Sequence, residues 1–102
     1  MLLHGISISE EEISDFCRRN SIRKLSFFGS VLRDDFNSES DIDVLVEFLP
    51  DRVPGFLGLA RMERELSEII EGRKVDIRTP EDLSPNFREK VLSLARVHYE
   101  RK

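Results

Sequence analysis

The sequence predicts an α/β fold of the α+β type, in which a small mixed β-sheet carries its helices on one face. The first observation is a strand over residues 41–48, where side chains alternate with the two-residue period of a half-buried strand. The second is a helical pattern over residues 56–71, which separates this strand from a short one at residues 74–78. Two strands joined by such a helix lie parallel, whereas the shorter connection from a first strand at residues 22–28 favours an antiparallel pair.

The first helix has several start signals in the sequence. Ser9 is placed to cap it, and Glu12 stands three residues later, where a capping box requires an acid. Ile8 precedes the cap and is spaced to pack against Ile13. These signals predict a helix that begins after Ser9 and ends near Asn20.

The last helix is predicted to begin at Ser84 and Pro85, a capping residue followed by the residue that suits the first helical position. A charged tail is expected to follow it. Its inner face is expected to hold the apolar residues at helical spacing, which are Phe87, Val91, Leu94 and Ala95. If all helices cover the apolar face of the sheet, the other face of the strand at 41–48 stays open. That face carries Asp41, Asp43, Leu45 and Glu47.

The composition predicts a single domain over residues 1–102, with a net charge of -4. This negative net charge argues against sequence-independent binding to nucleic acid, which needs a basic face. The lone Cys17 cannot form an internal disulfide and is interpreted as a core residue, which fits a reducing cytoplasm. No run approaches the roughly 18 apolar residues of a membrane span, and the N-terminus lacks a signal-peptide pattern. We therefore expect a soluble, cytoplasmic protein.

One motif contains the residues that point to a chemical function. A glycine–serine turn, Gly29-Ser30, ends the first strand, and ten residues further on Asp41 and Asp43 open the second. Two acids at positions i and i+2 of a strand share a face, about 6–7 Å apart, and repel each other unless a cation lies between them. The predicted pairing also brings Asp76, on the third strand, to the same rim of the sheet.

Three carboxylates without accompanying His or Cys form an oxygen-donor site that suits magnesium, or manganese in its place. Two such ions would clamp the attacking and leaving oxygens of a phosphoryl displacement. Gly29 lets the backbone approach a phosphate, and Ser30 offers an amide and a hydroxyl to hold it. Asp76 is placed to bind the ion that activates an acceptor hydroxyl and to help take its proton. The pattern therefore predicts nucleotidyl transfer from a nucleoside triphosphate.

Two alternatives remain open at this stage. The acids also fit an acid-rich loop that leads into a half-exposed strand, although the Gly29-Ser30 turn argues against this interpretation. Arg33 suits either contact with the departing pyrophosphate or a salt bridge with Asp34 or Asp35.

These motifs resemble the signature of the polymerase-beta-type nucleotidyltransferase superfamily. More narrowly, FGSVLRDDF with SDIDVLVEF, and the later KVDIRTPEDLSP, resemble the minimal nucleotidyltransferases, small proteins that consist of the catalytic core. The resemblance implies that Asp41, Asp43 and Asp76 bind the metals and that Gly29-Ser30 holds the nucleotide's phosphates. It further implies an antitoxin, commonly encoded beside a HEPN-domain toxin, that transfers AMP from ATP to a tyrosine of that toxin.

Two other functions compete with this expectation. One is an antitoxin that neutralises its partner by binding alone, and the other is a transferase that acts on a small molecule, which needs a pocket that a short chain hardly supplies unaided. Either a self-dimer or a mixed complex with the toxin would bury the region of Leu45, Phe56 and Leu57. The sequence does not choose between these assemblies.

Overall fold

The computed structural model describes residues 2–101 and consists of two small sheets and three helices. Two short 3-10 turns, Gly29–Leu32 and Pro80–Asp82, link elements near one rim of the larger sheet. The strands and helices, in chain order, are β1 (Leu2–Leu3), β2 (Ile6–Ser7), α1 (Glu10–Arg19), β3 (Ile22–Phe28), β4 (Ile42–Phe48), α2 (Phe56–Ile69), β5 (Val75–Arg78), α3 (Pro85–Leu94) and β6 (Arg96–Glu100).

The predicted class, a small mixed sheet with helices, is confirmed. The larger sheet has the strand order β5-β4-β3-β6. β3 pairs with β4 in antiparallel fashion, and β4 pairs with β5 in parallel, as the lengths of the two connections predict. β4 begins at Ile42, so Asp41 lies one residue before the strand that it was predicted to open.

Local signals place α1 where it was expected. The Ser9 hydroxyl accepts a hydrogen bond from the amide of Glu12 at 3.2 Å, and Asn20 ends the helix. Its inner face buries Cys17, which confirms the core interpretation of that residue. Burial raises the pKa of the Cys17 thiol to about 12, so the reactive thiolate does not form near neutral pH.

α1 and α2 pack on one face of the sheet and form the main core. The helices contribute Ile13, Phe16, Met62 and Leu66, among others, and the strands contribute alternate residues that include Leu25, Phe27, Ile42, Val44 and Val46. The two-residue alternation along β4 therefore correctly predicted which of its residues face the main core. None of the helices described within residues 2–101 is long and apolar enough to cross a membrane.

The expectation that all helices lie on one face is wrong for α3. Val91 of α3 packs with Phe28 and Leu45, which point away from the main core, in a second small cluster. Leu45 is therefore buried within the domain and does not belong to a partner surface, contrary to the expectation above. The buried face of α3 is also narrower than predicted, because Phe87 is 50% exposed and Leu94 is 64% exposed.

Two strand pairs were missed from the sequence. β6 adds an edge strand beside β3 where only a charged tail was expected, and β1 pairs with β2 in a short hairpin. β6 is charged at both ends, Arg96 and Glu100, so its composition resembles that of a solvated tail. Because β6 begins two residues after α3 ends, its pairing with β3 brings the C-terminal end of α3 to the sheet.

Candidate active site

The register of the sheet brings the predicted site residues to one rim. Phe28 lies opposite Asp43 across the antiparallel pair, and Asp43 lies opposite Asp76 across the parallel pair. Gly29 follows Phe28 directly, so the glycine turn and two of the three acids are neighbours. Asp41 lies at the end of the incoming loop, where the next residue, Ile42, donates its amide to the carbonyl oxygen of Lys74 at 2.9 Å.

Gly29 is required at this position for two reasons. Its φ angle is +76°, in the left-handed region that residues with a side chain rarely adopt. A β-carbon there would also overlap Oδ2 of Asp43 and lie 3.2 Å from that residue's carboxyl carbon. The Asp43 carboxylate therefore fills the space that the missing side chain leaves.

Ser30 ties the turn to the loop that carries Asp41. Its Oγ donates a long hydrogen bond, 3.4 Å, to the carbonyl oxygen of Asp41. A hydrogen bond of this length is weak, so the hydroxyl is easily redirected to a ligand.

The electrostatics of the rim centre on Asp43. Its pKa is raised, first because partial burial disfavours the charged carboxylate, and then because Asp76 and Asp41 lie nearby. Arg78 and Arg33 offset part of this effect. A carboxylate whose ionised form is destabilised by burial and by neighbouring acids is typical of a site that binds a cation.

The other two acids are held by weak ion pairs. Asp76 Oδ2 lies 3.2 Å from Arg78 Nε, and Asp41 Oδ2 lies 3.9 Å from Lys74 Nζ. Both pairs are partly exposed to solvent, and such pairs contribute little stability, so a divalent cation can displace them. Within residues 2–101 no three His, Cys, Asp or Glu side chains are already arranged around one point that could hold a metal ion.

The donor set nevertheless fits magnesium. It consists of carboxylate oxygens, which are the ligands that magnesium takes in proteins, and the repulsion at Asp43 is relieved when a cation binds. For all three carboxylates to bind ions, Asp41 and Asp76 must turn away from Lys74 and Arg78, which are flexible side chains at the surface.

A cavity of about 660 Å³ opens beside Asp43, within the roughly 300–1,000 Å³ that is usual for ligand pockets. Gly29, Ser30 and Arg33 line it on the side of the turn. Arg33 lines the cavity, and its Nε lies 3.2 Å from Asp35 Oδ1. The salt bridge is therefore present, and the contact with pyrophosphate stays a prediction.

The opposite wall of this cavity was not found from the sequence. It is formed by α3 and the start of β6, with Phe87, Lys90 and Arg96 among its residues. The helical spacing of Phe87 and Leu94 was taken for a core stripe, and the same spacing shows in retrospect that Lys90 shares their face.

Arg73, in the segment between α2 and β5, holds the loop between the turn and Asp41 in place. Arg73 donates hydrogen bonds to the carbonyl oxygens of Asn37 at 2.9 Å and Ser40 at 2.8 Å. Its guanidinium also lies over the ring of Phe36, 4.6 Å from the centroid, and His4 stacks on that ring. Arg73 therefore positions the segment that delivers Asp41 to the rim.

Comparison with known families agrees with this geometry. The family described as nucleotidyltransferase domain matches residues 10–98, which is most of the chain. The chain belongs to this family. It is therefore a nucleotidyltransferase, which the motif around Gly29-Ser30 and Asp41 predicted.

Similar proteins refine the placement within the family. A candidate protein adenylyltransferase of Methanocaldococcus jannaschii is 34% identical over 91 residues, covering 89% of this chain and 95% of the relative. The protein adenylyltransferase MntA of Thermococcus cleftensis is 30% identical over 74 residues, covering 72% of each chain. The resemblance to minimal nucleotidyltransferases is confirmed by these relatives.

Solved structures share the fold. A candidate minimal nucleotidyltransferase is 35% identical, with a TM-score of 0.70, and the match covers 84% of this chain and 85% of that one. A toxin–antitoxin complex with AMP-PNP matches with a TM-score of 0.73 at 18% identity, over 93% and 76%. A complex of a tri-AMPylated Shewanella oneidensis HEPN toxin with an MNT antitoxin matches with a TM-score of 0.64 at 18% identity, over 90% and 70%. At 18% identity the last two similarities concern the fold alone.

Proposed function

We propose that this nucleotidyltransferase transfers AMP from ATP to a hydroxyl group of a partner protein, a tyrosine of a HEPN-domain toxin, and thereby acts as its antitoxin. The observation that carries the proposal is the meeting of Gly29, Asp43 and Asp76 at one rim, beside a cavity large enough for a nucleotide. The choice of AMP rests on the relatives, which are named as protein adenylyltransferases.

Asp41, Asp43 and Asp76 are the proposed ligands of two magnesium ions, and manganese is the expected substitute. The ions supply charge neutralisation at the phosphates and lower the pKa of the acceptor hydroxyl. The proposal is supported by the raised pKa of Asp43, which results first from partial burial and then from the nearby Asp76 and Asp41.

In the proposed reaction the acceptor oxygen attacks the α-phosphorus of ATP. A new oxygen–phosphorus bond forms, the bond between the α-phosphorus and the bridging oxygen breaks, and pyrophosphate leaves. Asp76 is the proposed acceptor of the hydroxyl proton, because it stands on the outer strand of the rim and is partly exposed. Gly29 and Ser30 are proposed to hold the phosphates, and Arg33 to contact the departing pyrophosphate.

A protein acceptor is consistent with the surface beside the acids. Phe56 and Leu57, at the start of α2, are 85% and 83% exposed. Phe56 lines a groove that also contains Asp76 and Arg78. A contiguous patch of exposed apolar side chains marks a surface for a partner, and Phe56 adjoins the proposed catalytic rim. The single domain, residues 1–102, is proposed to need this partner to complete the acceptor side of the site.

The proposal is tested by intact-mass spectrometry. The HEPN-domain protein encoded beside this chain, as the resemblance predicts, is incubated with it, magnesium and each of the four nucleoside triphosphates. ATP is expected to add one or more AMP units to the partner, and Asp41→Asn/Asp43→Asn is expected to add none. Asp51→Asn, an exposed acid in the loop after β4, is the matched control and is expected to act as wild type.

Other outcomes would favour the competing functions. A tight complex that inhibits the partner without any added mass would establish neutralisation by binding alone. Transfer to a small hydroxylated molecule, with the partner protein unmodified, would establish a small-molecule transferase.

A further inference from the structure

The cavity beside Asp43 is lined by the acid rim with its glycine turn and by cations from two later elements. On one side stand Gly29, Ser30 and Asp43, with the other acids of the rim beyond them. On the other side, α3 and the first residue of β6 present Lys90 and Arg96. The two cations are separated in sequence from the nucleotidyltransferase motif. Lys90 comes to it because α3 packs on the acid face of the sheet, and Arg96 because β6 pairs with β3, where Arg96 lies opposite Phe27.

The acid wall neutralises a triphosphate only through the metal ions that it would hold. Its carboxylates attract metal ions but repel phosphate oxygens, and the whole chain has a net charge of -4. Cations elsewhere in the cavity would therefore add to the charge neutralisation that the metal ions supply. Arg33 forms an exposed ion pair with Asp35, whereas no carboxylate within residues 2–101 forms a salt bridge with Lys90 or Arg96.

The rest of this wall suits a nucleotide as well. Phe87, one turn before Lys90 on α3, is 50% exposed and faces the same cavity. Leu94, one turn after Lys90, is 64% exposed and also lines it. Exposed apolar surface next to two cations matches a ligand with a flat apolar part and an anionic tail.

We infer that Lys90 and Arg96 bind the β- and γ-phosphates of the nucleoside triphosphate. This inference rests on the proposed function and adds two residues to it. When the acceptor oxygen bonds to the α-phosphorus and the bond to the bridging oxygen breaks, negative charge accumulates on the pyrophosphate, and the two cations stabilise it. Lys90 and Arg96 then contact the pyrophosphate from α3 and β6, and Arg33 contacts it from the side of the turn.

The test is isothermal titration calorimetry in magnesium buffer with three probes: ATP, inorganic tripolyphosphate and AMP. Lys90→Gln and Arg96→Gln are each expected to weaken binding of ATP and tripolyphosphate by about fivefold, and the double variant by more. AMP binding is expected to be unchanged, because AMP lacks the two phosphates concerned. Lys90→Arg keeps the charge and is expected to restore most of the affinity.

Arg64→Gln is the matched control, since Arg64 is an exposed cation on α2 and does not line this cavity. The inference is overturned if the α3 and β6 variants bind ATP and tripolyphosphate as tightly as Arg64→Gln. It is also overturned if they lose AMP binding to the same extent as ATP binding, because the contact would then lie at the nucleoside or α-phosphate.

The failure of this inference can be told apart from failure of the proposed function. If the wild type modifies its partner and the variants bind ATP normally, only the role of Lys90 and Arg96 is wrong. If the wild type binds neither ATP nor tripolyphosphate, both are wrong.

Discussion

The Asp43 carboxylate occupies the space above Gly29 that any other residue would fill with its β-carbon. Gly29→Ala is therefore expected to push the carboxylate from the rim and to lower transfer activity by about a hundredfold, the usual cost of an ångström-scale misplacement. It is also expected to lower the free energy of unfolding by about 1–2 kcal/mol, because φ at this residue is +76°. Urea denaturation and an assay of transfer measure the two effects.

Gly72 supplies the control for this substitution. Its φ angle is +74°, but no atom lies within 4 Å of the position of a β-carbon. Gly72→Ala is expected to lose similar stability and to keep its activity. Equal loss of activity in the two variants would show that backbone strain, and not the position of Asp43, is responsible.

Asp43→Asn is expected to stabilise the metal-free protein while abolishing transfer. Asp43 and Asp76 are directly opposite each other on neighbouring strands, and like charges so placed cost about 0.5 kcal/mol. Because the pKa of Asp43 is raised in the folded protein, its charge opposes folding as pH rises through that pKa, and the amide removes this effect. Urea denaturation at neutral pH without metal measures the gain.

The same variant is expected to lose the stabilisation that added magnesium gives the wild type. Asp51→Asn should change neither the stability of the metal-free protein nor the stabilisation by magnesium. A lower stability of metal-free Asp43→Asn would contradict the repulsion inferred at this rim.

Cys17 is expected to make stability fall with alkaline pH. Its pKa is about 12 in the folded protein, far above the ordinary thiol value, so only the unfolded state loses the proton as pH rises above about 9. The free energy of unfolding should then decrease by up to about 1.4 kcal/mol for each pH unit relative to Cys17→Ala. Parallel curves for the two proteins between pH 8 and pH 10 would show that the thiol is not desolvated.

Arg73→Ala is expected to loosen the loop that carries Asp41. The substitution removes two hydrogen bonds to backbone carbonyls, of Asn37 and Ser40, and the contact with the Phe36 ring. Amide hydrogen exchange over residues 36–41 should become about tenfold faster, because charged hydrogen bonds of this kind contribute about 1.5 kcal/mol or more. Exchange in β3 should not change.

Transfer by the Arg73 variant should fall as well, mainly through weaker binding of magnesium and nucleotide. Arg61→Ala, an exposed cation on α2, is the matched control. Normal exchange with reduced activity would place Arg73 in direct contact with the substrate, contrary to the positioning role.

Elements whose signals are local were predicted well. The cap at Ser9, the alternation along β4 and the helix between β4 and β5 depend on neighbouring residues, and each is present as expected. The meeting of Gly29 with the acids followed from the directions of the two strand pairs, which the lengths of the connections favour.

What the sequence could not supply depends on contacts between distant segments. β6 is an edge strand with charged ends, and only its pairing with β3 distinguishes it from a tail. The side of the sheet that α3 covers is decided by the packing of Val91 against Leu45, since the apolar residues of α3 would suit either face. Lys90 and Arg96 were missed for the same reasons, because Lys90 comes beside the motif with α3 and Arg96 comes beside it with β6.

The most direct measurement compares ATP labelled at the α-phosphate with ATP labelled at the γ-phosphate, in the presence of the HEPN-domain partner and magnesium. A nucleotidyltransferase with its catalytic rim at Asp41, Asp43 and Asp76 transfers the α-label to the partner and releases one pyrophosphate for each label. Asp41→Asn/Asp43→Asn should transfer none. Transfer of the γ-label, or unlabelled partner that is nevertheless bound and inhibited, would contradict nucleotidyl transfer as the means of neutralisation.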